Sequence, residues 1–175
     1  MNTPSSFASP VALAGVVAGC AAALPLAPAN VPSSLEAPPG SSLYLEVLAS
    51  GVQVYECAQR SDSTYEWTFK APEAALSDRA GQPLGKHYAG PTWEANDGSS
   101  VVGEVRARDP GPATTAIPWL LLAAKSNSGT GTFADAKFIQ RVATVGGVAP
   151  VDGCNAATLK QRARVPYSAT YFFYR

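Results

Sequence analysis

Thr92-Trp93-Glu94-Ala95-Asn96-Asp97-Gly98-Ser99-Ser100-Val101-Val102-Gly103-Glu104-Val105-Arg106 is the stretch that decides the fold class of this chain. Asp97-Gly98 supplies the positive backbone angles of a tight hairpin turn, and residues suited to strands flank it on both sides. The reading is a hairpin, Pro91–Ala95 against Val101–Arg108, turning at Asn96–Ser99.

Working outward, the neighbouring segments keep the same two-residue period. Thr64 to Lys70 sets Tyr65, Trp67 and Phe69 on one side and Thr64, Glu66, Thr68 and Lys70 on the other, as a half-buried strand does. Leu43 to Cys57 alternates around Gly51, with Val52 and Val54 on one face and Gln53, Tyr55 and Cys57 on the other, which reads as two strands or one bent pair. Pro72 to Gly85 holds Asp78, Gly81 and Pro83 and reads as connecting structure with strand fragments. Ile117 to Ala124 is a short continuous apolar run, consistent with a strand buried on both faces or with a helical turn led by Pro118. Phe138 to Val145 offers another strand, and Val165 to Tyr174 closes the chain with Tyr167, Ala169, Tyr171 and Phe173 sharing a face. Asn155 to Arg164 has room for one short helix. The expected fold is all-β, a single sandwich or barrel of about seven to ten short antiparallel strands.

Composition agrees and narrows the partners. Gly and Pro number 15 each, and charged residues make up 15% of the chain against roughly 25% in ordinary soluble domains, which favours turns over long helices. Thirteen basic residues balance thirteen acidic ones, so the positive excess that a phosphate backbone requires is missing, and no nucleic-acid partner is expected.

The chain has three cysteines. Cys20 ends an apolar run as Val17-Ala18-Gly19-Cys20, in the manner of a lipobox, and the run from Val11 to Ala23 has the length of a signal h-region without a preceding Lys or Arg. Residues 1–23 therefore read as a signal peptide, with lipidation at Cys20 competing against cleavage after Ala29. Residues 24–42 are rich in Pro, Ala and Ser and read as an extended tether, and residues 43–175 as the all-β domain. Cys57 and Cys154 then remain to pair in an oxidising compartment, the alternative being two separate buried thiols. Any contact with a membrane is expected only through the lipid anchor.

Beyond these patterns, Gln53-Val54-Tyr55-Glu56-Cys57, Gly85-Lys86-His87-Tyr88-Ala89-Gly90-Pro91-Thr92-Trp93, Ile139-Gln140-Arg141-Val142-Ala143-Thr144-Val145-Gly146-Gly147 and Tyr167-Ser168-Ala169-Thr170-Tyr171-Phe172-Phe173-Tyr174 are similar to the domain-of-unknown-function family 3455 of bacteria and fungi. The resemblance spans roughly Val31 to Arg175 and implies a family, not an activity. Some fungal relatives carry a malate dehydrogenase label, but no G-x-G-x-x-G follows a strand and opens a helix here, and no cofactor is expected.

His87 is the only histidine, so a multi-histidine metal site is ruled out and any hydrolytic triad depends on it. It lies in a Gly-rich segment where a backbone can approach a substrate, although a histidine bonded to a nearby carbonyl would serve the fold alone. Trp93, Tyr88 and Trp67 are candidates, with His87, for a ligand groove, since aromatic faces join apolar area to a polar edge. Asp97, better explained by its turn, and Ser99 are the partners that a hydrolase built on His87 would use. The expectation is an exported, lipid-anchored cell-envelope domain that binds an envelope ligand or protein or serves structurally. An envelope hydrolase is the alternative.

Overall fold

In the computed structural model, which describes residues 25–175, alternation along the chain becomes eight strands: β1 (Leu43–Gln59), β2 (Tyr65–Ser77), β3 (Pro83–Tyr88), β4 (Thr92–Ala95), β5 (Ser100–Asp109), β6 (Trp119–Ser128), β7 (Phe138–Gly146) and β8 (Arg162–Tyr174). The signal segment and Cys20 lie outside the described residues. Each strand pairs antiparallel with the next and β8 returns to β1, giving a closed up-and-down barrel. Closure satisfies the backbone groups that an open sheet would leave on its edges. β1 and β8 form the longest seam, running from Leu43 opposite Tyr174 to Glu56 opposite Arg162.

Inward-facing residues alternate along every wall, and the core they build includes Val47, Ala74, Leu76, Trp93, Val101, Leu122, Ile139, Tyr171 and Phe173. The face shared by Tyr167, Ala169, Tyr171 and Phe173 is the inner one, with all four buried. One end of the barrel is filled by Phe133 from the β6–β7 loop, which packs against Phe173 with ring centroids 4.8 Å apart. Asn127 fixes that loop by donating from Nδ2 to the carbonyls of Phe133 and Ala136, each at 3.0 Å.

The hairpin forms where Asp97-Gly98 lies, with Trp93 opposite Val101 and Gly98 at φ +84°. Other segments differ from expectation. Pro72 to Ser77 continues β2 and Pro83 begins β3, so only Asp78–Gln82 connects them. The inward residues there, Pro72, Ala74 and Leu76, alternate with outward Glu73, Ala75 and Ser77, but none of the six is β-branched or aromatic and Pro72 breaks the pattern at its start. Leu43 to Cys57 is one strand, and Asn155 to Arg164 holds a 3-10 turn, Ala156–Thr158, capped by Asn155, and then the start of β8 at Arg162. The segment read as a tether meets the barrel: Leu35 is wholly buried in a 3-10 turn, and its carbonyl accepts from Gln140 Nε2 at 2.6 Å. Leu121, Gln140 and Phe172 face outward yet are buried, because this N-terminal stretch covers them. That cover is why β6 carries an unbroken apolar run from Leu120 to Ala123.

Candidate functional site

The end of the barrel opposite Phe133 is not filled. There, β3 and β4 are joined by Ala89–Pro91, and Thr92 donates from Oγ1 to the Ala89 carbonyl at 2.8 Å. This turn sets the Thr92 carbonyl 2.8 Å from His87 Nδ1. A carbonyl can only accept, so Nδ1 carries the hydrogen and Nε2 keeps its lone pair in the neutral ring. His87 pairs with Trp93 across the ladder and stacks on its indole at 4.3 Å, while Tyr171 meets the imidazole edge-on at 5.2 Å. Burial pushes the His87 pKa down to about 3, and the positive charge of Arg141 acts in the same direction.

Above this cluster lies a cavity of about 440 Å³. Its lining runs from fully buried Trp93 and Tyr171 to exposed Phe69, Lys70 and Arg108, so it connects the interior with the surface. Val105, Leu120 and Leu122 give it an apolar wall. On its lining, Gln53 Nε2, Trp93 Nε1 and the Tyr171 hydroxyl are buried with no hydrogen-bond partner within 3.5 Å among the described residues, as is the neighbouring Tyr167 hydroxyl; the two phenols lie against each other and Tyr171 also lies beside Arg141. Each such group costs about 1–3 kcal/mol unless something hydrogen-bonds to it. Burial also raises the pKa of Tyr167 and Tyr171, so both remain neutral phenols.

Arg141 points inward, level with Leu120 and Tyr171 across the ladder. Its Nε and Nη2 donate to the Pro118 carbonyl at 3.1 and 2.7 Å. Tyr55 closes one side by donating to the Gly147 carbonyl at 2.6 Å. No Asp or Glu lines the cavity among the described residues.

Of the residues singled out from sequence, His87 and Trp93 meet at the base of this cavity, whereas Tyr88 and Trp67 are not among its lining. Tyr88 donates to Glu94 at 2.6 Å on the outer face, with Lys86 over its ring. Trp67 donates from Nε1 to the Asp152 carbonyl at 2.8 Å and so pins the β7–β8 loop. Asp97 belongs to the turn at the Phe133 end. It accepts from the backbone and hydroxyl of both Ser99 and Thr132, which holds its carboxyl well below the usual range. Ser99 in turn accepts from the Phe133 amide at 3.0 Å, and neither Asp97 nor Ser99 bonds His87. No cluster of three His, Cys, Asp or Glu that could hold a metal occurs among the described residues. Arg141, which the sequence offers with Arg106 and Arg108 either as an anion-capturing residue or as a partner for Glu and Asp, lines the cavity together with Arg108; Gln53 and Tyr171 were not singled out from the sequence, where the available signal was a polar side chain at an inward step of a strand.

Cys57 and Cys154 form a disulfide, tying the end of β1 to the β7–β8 loop beside this cavity. Among the described residues no helix is long and apolar enough to cross a membrane. Residues 38–175 match the family described as "Protein of unknown function (DUF3455)", and the chain belongs to that family. No curated protein and no solved structure matches it.

Proposed function

We propose that this family member is an exported binding domain that takes a small molecule into the open end of its barrel. The observation that carries the reading is the set of buried, unpaired polar atoms of Gln53, Trp93 and Tyr171 at one cavity of about 440 Å³. Buried polar groups in folded proteins are nearly always satisfied, and a cavity of this size falls within the range of small-molecule sites. An apolar wall with a few convergent polar atoms binds and orients a ligand. His87 fits a positioning role: its Nδ1–H is held by Thr92 and its ring is packed between Trp93 and Tyr171.

Export is supported by the lipobox-like Cys20 and by the Cys57–Cys154 bridge, which suits an oxidising compartment. With those two cysteines paired, Cys20 is left for acylation, and the domain would stand at a membrane surface on a short connection. Mass spectrometry of the protein from its native host's membrane and soluble fractions tests both parts. A membrane species beginning at Cys20 with acyl mass, carrying a stoichiometric small molecule under native conditions, is expected. An unprocessed chain beginning at Met1 overturns export. A protein that stays ligand-free when incubated with a host small-molecule extract overturns the binding role.

A further inference from the structure

We propose that the group recognised in this cavity is an anion, carried by a ligand with an apolar body, and that Arg141 is its principal counter-charge. The inference rests on the cavity being a ligand site, and it adds the chemical class. Three cations reach the lining, Lys70, Arg108 and Arg141, against no carboxylate among the described residues. The chain as a whole carries equal numbers of basic and acidic residues, so this is a local concentration of positive charge rather than a consequence of a basic protein.

The three differ in how far they are already committed. Lys70 lies 3.1 Å from Glu56 on the outer face, so part of its charge is neutralised there. Arg108 and Arg141 have no ion-pair partner within 4.0 Å among the described residues. Arg141 is half-buried, and its hydrogen bonds are both to one neutral carbonyl, that of Pro118. A guanidinium has about five N–H donors; beyond those on the Pro118 carbonyl and the one turned toward the Tyr171 hydroxyl, about two remain for a ligand, in the planar arrangement that suits an oxyanion. A half-buried cation without a counter-charge is costly, and an anion entering the cavity removes that cost.

The orphaned atoms beside it favour the same partner. Trp93 Nε1 and Gln53 Nε2 can only donate, and the Tyr171 hydroxyl can donate as well. A ligand that brings acceptors satisfies all of them. A cationic ligand held on aromatic faces fits poorly, because His87 already stacks on the Trp93 indole and Arg141 repels it. The apolar wall of Val105, Leu120 and Leu122 provides for the remainder of the molecule.

A matched pair of probes separates the two levels of the argument: 8-anilino-1-naphthalenesulfonate and N-phenyl-1-naphthylamine, the same apolar body with and without an anionic group. Both are titrated by fluorescence and calorimetry into the full chain carrying Cys20→Ser. The sulfonate is expected to bind at one site, about tenfold more tightly than the amine, with its advantage shrinking as salt rises. Arg141→Met is expected to weaken the sulfonate about tenfold and leave the amine unchanged. Because Arg141 also holds Pro118, Arg108→Gln provides a second variant; Arg108 makes no side-chain hydrogen bond among the described residues, and its replacement should weaken the sulfonate about threefold. If the amine binds as tightly as the sulfonate and neither variant alters the ratio, the anion inference fails while the cavity stands as a ligand site. If neither probe binds the folded protein, both fail and the cavity holds only water.

Discussion

At the scale of single residues, His87 shows how burial converts a titratable group into a fixed one. Burial, aided by the positive charge of Arg141, keeps the folded-state pKa at about 3 against 6.5 for the free side chain, even though the Nδ1–H bond to the Thr92 carbonyl pulls the other way. Between those two values the unfolded chain binds a proton that the folded chain refuses. Acid therefore stabilises the unfolded state, and stability falls as pH drops through 6.5 toward 3, by about 1.4 kcal/mol per unit for one proton. His87→Gln keeps a donor for the Thr92 carbonyl and removes the titration. Urea unfolding of both proteins from pH 7 to pH 4.5 should find the variant less stable at neutral pH, with the gap closing by roughly 2–3 kcal/mol at the acid end. Parallel profiles would mean that the folded protein accepts the proton freely and that the ring is solvated.

At the scale of elements, β1 depends on a glycine that the sequence could place but not interpret. Gly51 is a natural break in a strand pattern, yet β1 passes through it unbroken, with Ala74 opposite on one side and Tyr167 on the other. A Cβ there would lie 2.1 Å from the Glu73 carbonyl oxygen and 2.5 Å from the Ala74 Cα, both backbone atoms of the paired strand. Gly51→Ala should cost about 3 kcal/mol or more by urea unfolding, since neither strand can yield without breaking the ladder. Ser50→Ala, one residue away and exposed, should stay within about 0.5 kcal/mol and so separates the close approach from a general intolerance of β1. The elements that were legible carried local contrast: the Asp97-Gly98 turn, the aromatic alternation of β8, and the doubly buried run in β6. Pro72 to Ser77 was not, because it opens on a proline and carries alanine on both faces, with no β-branched or aromatic residue to mark a strand. Of the site, His87 and Trp93 stood out as rare residue types, but Arg141 could not be assigned a face. Its neighbour Gln140 is buried on the outside only because Leu35, over a hundred residues earlier, covers it. Such long-range cover leaves no local periodicity to read.

At the scale of the whole molecule, the barrel is held at both ends by pieces that lie outside its walls. Phe133 fills one end, whereas the other is bordered by the β7–β8 loop, fastened by Tyr55 to Gly147, by Trp67 to Asp152, and covalently by Cys57 to Cys154. The bridge spans a sequence separation of 97, a long loop, and loop-closure entropy assigns it about 4–5 kcal/mol. It joins β1, which pairs with both β2 and β8, to the segment leading into β8, so it limits the unfolded chain across most of the barrel. Cys57→Ala with Cys154→Ala, in a Cys20→Ser background, should therefore lower urea stability by about 4 kcal/mol while leaving the near-ultraviolet signal of Trp93 and its aromatic neighbours intact. Reduction of the parent protein should reproduce the loss. A drop in stability under about 1 kcal/mol would show that the unfolded chain is already restricted without the bridge. Loss of the aromatic signal in the folded variant would show instead that the loop supports the packing around Trp93, making the bridge part of the binding site and not only of its stability.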